Sequence, residues 1–211
     1  MTENTDLWQI ERELTEQGMG NICGCDEAGA GPLAGPVYAA AVILPLCCRI
    51  EGLNDSKKLT EKKREALYRV ITQKVVCWAV ARVEASEIDA TDILSARMKA
   101  MQQAIDALDI RPEVALVDGN RDKGRSAAIT TPHKLVVGGD GKSASIAAAS
   151  ILAKVSRDRF VSQELDARYP EYRFAMHKGY GTKLHYQMLD AYGPCPEHRR
   201  SFLKKWEEKR T

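Results

Sequence analysis

Hydrophobic positions in this chain alternate between short runs rich in strand formers and longer stretches with helical spacing. Residues 21 to 26, 36 to 44 and 75 to 83 predict three strands, the first two joined by the Gly- and Pro-rich turn Gly29 to Gly35. Val114 to Val117 and Leu135 to Val137 are two further runs of this kind, each followed by a glycine turn signal. A helix is predicted from about Glu61 to Gln73, with Lys63, Leu67, Val70 and Lys74 along one stripe. Leu94, Met98, Met101, Ile105 and Leu108 recur at helical spacing, so 92 to 109 reads as an amphipathic helix whose apolar face covers the sheet. The segment Ala144 to Val155 is apolar or small on nearly every side, and Ala147, Ala148 and Ala149 permit close approach, which predicts a helix buried against the sheet. No repeat, low-complexity tract or linker divides the chain. The pattern therefore predicts a single α/β domain over 1–211, with a core at approximately 20–190 and a helical extension at approximately 191–211.

Carboxylates sit where this layout puts strand ends. Asp26 and Glu27 close the first strand in the run Gly24 to Pro32, and the glycines after them let the backbone approach a large ligand. Asp118 follows the fourth run, and Asp140 lies between the fifth run and the helix that begins near Ser143. Any one of these acids alone is an ordinary turn residue. In open α/β sheets, however, ligands gather outside strand ends, so four acids at three such ends can meet in one cleft. Crowded carboxylates repel, and without a cation at least one should keep its proton. Donors that are all hard oxygens call for magnesium or manganese, ions that favour phosphate substrates.

Charge sharpens this picture. The chain carries 31 Lys and Arg against 29 Asp and Glu, but residues 142–211 hold 14 against 8 and residues 1–141 hold 17 against 21. A basic C-terminal part beside an acidic metal cleft fits a phosphate backbone as partner. No apolar run reaches the ~18 residues of a membrane span, and Met1 to Gln9 lacks the features of a signal peptide, so the expected location is cytoplasmic. The six cysteines lie mostly in apolar runs without paired metal spacing, which predicts buried free thiols. A zinc site from Cys195, His198 and His185 would lack a second cysteine pair, and His133, His177 and His198 are read as structural.

Six blocks together resemble the ribonuclease HII family: Gly24 to Val42, Asp55-Ser56-Lys57-Lys58-Leu59-Thr60, Val117 to Asn120, Gly138 to Arg159, His177 to Thr182 and Gly193 to Phe202. They occur in the family's order and cover most of residues 20 to 203. The resemblance implies a ribonuclease H-like fold, with a central five-stranded mixed sheet flanked by helices and a helical C-terminal part. It implies an endoribonuclease that hydrolyses the RNA strand of RNA/DNA hybrids and cuts 5′ of single ribonucleotides in duplex DNA, as in ribonucleotide excision repair. Asp26, Glu27, Asp118 and Asp140 would be catalytic and would bind two divalent ions, Mn2+ or Mg2+. Those ions would activate a water, clamp the scissile phosphate and stabilise the leaving oxygen, giving 3′-hydroxyl and 5′-phosphate ends. Backbone groups of Gly29, Ala30 and Gly31 would read the 2′-hydroxyl, with Tyr180 packed on the neighbouring deoxyribose. Lys57, Lys58, Lys142 and Lys178 would contact phosphates, and the protein would act as a monomer away from membranes.

Two positions depart from the family pattern. Ala30 stands where arginine is usual and Gly139 where lysine is usual, and both changes remove a positive charge beside the cleft. Alanine keeps the backbone contacts but loses the arginine's phosphate contact. The rival readings are a related ribonuclease H-like metal nuclease such as a junction resolvase, the sister family ribonuclease HIII, and an attenuated or non-catalytic hybrid-binding variant. The Gly-Pro block after Glu27 and the Tyr180 loop oppose the first. About 20 residues before the first strand leave no room for the N-terminal domain of the second, and the four carboxylates oppose the third.

Overall fold

The computed structural model describes residues 6–54, 56 and 59–208. Helix α1 (Gln9–Glu16) precedes strands β1 (Ile22–Ala28) and β2 (Val37–Ile43), and α2 (Glu61–Lys74) leads into β3 (Cys77–Val83). Helices α3 (Ala85–Ala90) and α4 (Ile93–Asp106) connect β3 to β4 (Val114–Asp118) and β5 (His133–Val136). Helix α5 (Ala144–Arg159) continues through a π-helical turn, Phe160–Leu165, into α6 (Asp166–Arg168), α7 (Phe174–His177), α8 (Lys183–Tyr192) and α9 (Arg200–Glu207). The strands form one sheet in the order β3-β2-β1-β4-β5. Strands β1, β4 and β5 run parallel, and β2 and β3 run antiparallel to their neighbours, so the five-stranded mixed sheet with a helical C-terminal part is as expected.

Alternation along β1 assigns its residues to two packing layers. Cys23 and Cys25 face α4, in a core with Met98, Met101, Ala104 and Ile105, while Ala28 packs with Ala148, Ala149 and Leu152 of α5. Gly24 is what lets α5 lie against the sheet: a Cβ there would fall 2.1 Å from the backbone carbon of Ser145. The N-terminus of α5 is fixed by Ser143, whose hydroxyl accepts from Ile146 N at 3.2 Å, and by the buried Glu11 of α1, whose Oε1 accepts from Ser145 N at 3.0 Å. A carboxylate on that N-terminus also meets the positive end of the helix dipole. Helix α1 is thus a clamp for α5, with Ile10 and Leu14 at helical spacing in an otherwise polar stretch.

Other differences have local causes. Strand β1 runs on through Asp26 and Glu27 to Ala28, because β2 continues to pair with it, at Ala40 and Ala39. The inward stripe of α2 is Leu67 and Ile71, with Lys63 and Lys74 turned to solvent. Cys23, Cys25, Cys77 and Cys195 are buried free thiols as expected, whereas Cys47 is exposed and Cys48 intermediate. Among the described residues no helix is long and apolar enough to cross a membrane.

Candidate active site

The register of the parallel pair β1/β4 aligns Cys25 with Val117, so Asp26, two residues before the end of β1, lies beside Asp118 at the end of β4. Asp26, Glu27 and Asp118 line a cleft of about 230 Å³ with Ser56, Ser150 and Lys154; its far wall is the loop Gly29, Ala30, Gly31 and Tyr180. Side-chain alternation sends Asp26 toward α5 and Glu27 toward α4. Asp26 is only 3% exposed. Its burial, then the charges of Glu27 and Asp118, hold its carboxyl well above the ordinary value, and a hydrogen bond from Ser150 offsets part of that. Ionisation of Asp26 is therefore opposed until a cation arrives, as crowding of like charges requires. Asp118 Oδ1 accepts from Gly139 N at 2.6 Å, and Glu27 Oε1 pairs with Arg97 Nη2 of α4 at 2.6 Å. Asp140 is buried in the turn Gly139–Gly141 next to that contact and is not part of the cleft wall. Among the described residues no three His, Cys, Asp or Glu side chains already stand close enough to hold one ion. The donor set nonetheless fits a hard dication: carboxylates and hydroxyls, with an excess of negative charge that burial makes costly.

The loop after Glu27 is held by two buried guanidiniums. Arg199 donates to Gly29 O at 2.7 Å, Ala30 O at 3.0 Å and Gly35 O at 2.8 Å. Arg157 donates to Pro36 O and Lys178 O, each at 3.1 Å, and to Ala34 O at 3.2 Å. Burial lowers the pKa of both, first among the causes, but a guanidinium remains protonated at neutral pH. Gly29 has φ +94, and a Cβ there would meet Arg157 Nε at 2.1 Å, so only glycine allows this approach. Part of the C-terminal positive charge assigned to nucleic acid from the sequence is therefore spent inside the molecule. Arg157 stands among Lys154, Ser156, Asp158 and Arg159 in the last turns of α5, so no local signal set it apart from a solvated charge.

Tyr180 is 40% exposed, with Lys154 Nζ 5.5 Å and Arg157 Cζ 5.8 Å from its ring centroid. Its carbonyl ends a chain of hydrogen bonds through the C-terminal helices. Cys195 N donates to His198 Nδ1 at 3.0 Å, so neutral His198 carries its proton on Nε2. That proton faces His185 Nε2 at 2.9 Å, which leaves His185 Nδ1–H to donate to Tyr180 O at 2.9 Å. The cysteine and histidines set aside as a zinc site do meet, but as this chain. Burial lowers His185 to about 4 and His198 to about 3, keeping both neutral.

The lysines are placed differently. Lys57 and Lys58, like Asp55, lie outside the described residues. Lys142 donates from Nζ to Val137 O at 2.8 Å, and Lys178 Nζ pairs with Ser162 and lies 4.0 Å from Glu61; neither lines the cleft. Lys154, Ser150, Ser56 and Arg97 line or touch the site and were not singled out from the sequence. Ser150 and Lys154, four residues apart in α5, were a readable polar stripe; Arg97 is legible only once α4 is placed. At Gly139 a Cβ would stand 2.5 Å from Ile146 Cδ1, so a lysine there would require that methyl group to move.

Comparison with known proteins agrees with this geometry. The family model described as Ribonuclease HII matches residues 23–207. A ribonuclease HII of Caldicellulosiruptor saccharolyticus is 50% identical over 199 residues, covering 94% of this chain and 95% of that protein. The crystal structure of the ribonuclease H2 from Pyrococcus horikoshii OT3 superposes with a TM-score of 0.71 at 27% identity, covering 90% of this chain and 98% of that one. A Bst ribonuclease HIII in complex with Mn2+ shares the fold, with a TM-score of 0.64 at 19% identity over 85% of this chain and 66% of that one. With a sheet that collects its acids at one edge and a relative at this identity over nearly its whole length, the chain belongs to the ribonuclease HII family, divalent-metal-dependent ribonuclease H endonucleases that bind RNA/DNA hybrids.

Proposed function

We propose that the protein cuts the RNA strand of hybrids and also cuts 5′ of single ribonucleotides embedded in duplex DNA, leaving 3′-hydroxyl and 5′-phosphate ends. The observation that carries this reading is the shared cleft: Asp26, Glu27 and Asp118 face the loop Gly29 to Gly31 and Tyr180 across one space. Asp26, Glu27, Asp118 and, after side-chain adjustment, Asp140 would hold two ions, Mg2+ or Mn2+. Bound there, the ions supply an activated water and charge stabilisation at the scissile phosphate. Everything else falls to the chain itself. The amides and carbonyls of residues 29 to 31, fixed from beneath by Arg199, offer the hydrogen-bond groups a 2′-hydroxyl needs. The Tyr180 ring offers a flat apolar surface to the adjoining deoxyribose, and its carbonyl is pinned by His185. Lys154, at the cleft wall, adds a positive charge for the phosphate backbone. The activity is read as cytoplasmic and monomeric.

A duplex with one embedded ribonucleotide tests the reading. It should be cut on the 5′ side of the ribose only when Mg2+ or Mn2+ is present, and its all-deoxy counterpart should be untouched. Tyr180→Ala should slow that cut by roughly tenfold with an unchanged circular dichroism spectrum, the order of one lost base-or-sugar stacking contact. Equal rates for the variant and the parent would reject the sugar-packing role.

A further inference from the structure

Glu27 faces α4, and α4 answers it with a cation. Arg97 Nη2 lies 2.6 Å from Glu27 Oε1, the arginine side chain being 28% and the glutamate 12% exposed. This is unlike the pair between Lys99 of α4 and Glu87 of α3, where the side chains are 41% and 37% exposed and water screens the attraction. The helix is rigidly set. Asp92 caps it by accepting from Ser95 N at 2.9 Å, and Met98 and Met101 are buried in the core between α4 and the sheet. Arg97 Nε is buried and has no hydrogen-bond partner among the described residues. An unmatched buried donor is costly, so the guanidinium is held in this pose by the glutamate rather than by a network of its own.

We propose that Arg97 is the resident counter-ion of Glu27: a positioning residue that holds this carboxylate on the α4 side and must yield it when a dication enters the cleft. The inference rests on the reading of the cleft as a dication site. Its physics is competition. The guanidinium and the dication attract the same carboxylate oxygens and repel each other, in a partly buried place where solvent screening is weak. Arg97 thus neutralises Glu27 in the metal-free protein and raises the metal concentration at which the site fills.

Mn2+ binding to the protein without substrate, followed by electron paramagnetic resonance and calorimetry, tests this directly. Arg97→Met removes the charge while keeping an unbranched side chain, and it should bind Mn2+ roughly tenfold more tightly. Arg97→Lys keeps the charge and should stay within about threefold of wild type. Thermal melts give the second readout: Arg97→Met should melt lower than wild type in EDTA and gain more on saturation with Mn2+. Introduced into Glu27→Gln, the Arg97→Met change should raise Mn2+ affinity less than it does in wild type, since the carboxylate the two cations compete for is gone and only their repulsion remains. Unchanged or weaker Mn2+ binding by Arg97→Met would overturn the proposal, as would Arg97→Lys binding as tightly as Arg97→Met. Absence of any Mn2+ binding by wild type would instead overturn the dication site itself.

Discussion

Asp26 sits where burial and the neighbouring charges of Glu27 and Asp118 oppose its ionised form. Its folded pKa is above the ordinary 3.8, chiefly through burial, so the stability it contributes is present at low pH and is lost as pH rises through the raised value. Asp26→Asn removes that loss while retaining a side chain that can bond with Ser150. In EDTA the variant should be more stable than wild type at pH 8 by about 1–2 kcal/mol, with little difference at pH 4, while being inactive. Melting curves at the two pH values check this; a variant less stable than wild type at pH 8 would show that the cleft is not charge-strained. Ala30 makes a different prediction. Its carbonyl is already held by Arg199 and its side chain is only partly buried, so Ala30→Arg leaves the loop in place. The added guanidinium should contribute about 1.5–3 kcal/mol if it meets a phosphate squarely, less if it stays solvated. KM should fall, and the log–log salt slope should steepen by roughly 0.9 for the one extra phosphate neutralised. If neither changes, phosphate binding is not what alanine costs this position.

At the scale of elements, α5 and the C-terminal helices do more than cover the sheet. Helix α5 carries Ser150 and Lys154 to the cleft and Arg157 beneath the loop, and α8 and α9 bring His185, His198 and Arg199 against the same loop. The imidazole chain makes this support pH-dependent. His185 and His198, depressed to about 4 and about 3 from 6.5, are neutral in the fold and take up protons on unfolding, so their stabilising effect is full above about pH 6.5 and is lost as pH falls toward those values. His198→Asn can still accept from Cys195 N but is too short to reach His185 Nε2. It should lower stability at pH 7 through the cavity it leaves, yet flatten the decline in Tm between pH 6.5 and 4.5; an unchanged slope would show that His198 is not the group that titrates. The strands, the long helices and the three acids at strand ends were legible in the sequence because hydrophobic period and turn chemistry are local signals. The two buried arginines, Arg97 beside Glu27 and the role of α1 were not. Their partners lie far along the chain, 121 residues for Arg157 and Pro36 and 134 for Ser145 and Glu11, and a charged side chain looks the same in sequence whether it meets water or a carbonyl.

For the molecule as a whole, one edge of the sheet and the C-terminal helices meet across the loop from Gly29 to Pro36. Leu33 packs with Leu189 and Leu203, and Ala34 with Phe160, Tyr172 and Phe174, so the loop is both the lining of the cleft and the seam between its two halves. The acids of the sheet face a wall that presents backbone groups, and in the metal-free fold Arg97 is the positive partner of Glu27 while Lys154 lines the same cleft. The most direct test of this account is the rate of RNA-strand cleavage by Asp118→Asn at saturating Mg2+ and Mn2+. Asp118 ends β4 beside Asp26, and a neutral amide is a poor ligand for a hard dication, so turnover should fall by at least about 100-fold with the fold intact by circular dichroism. Near-wild-type turnover by Asp118→Asn would contradict it.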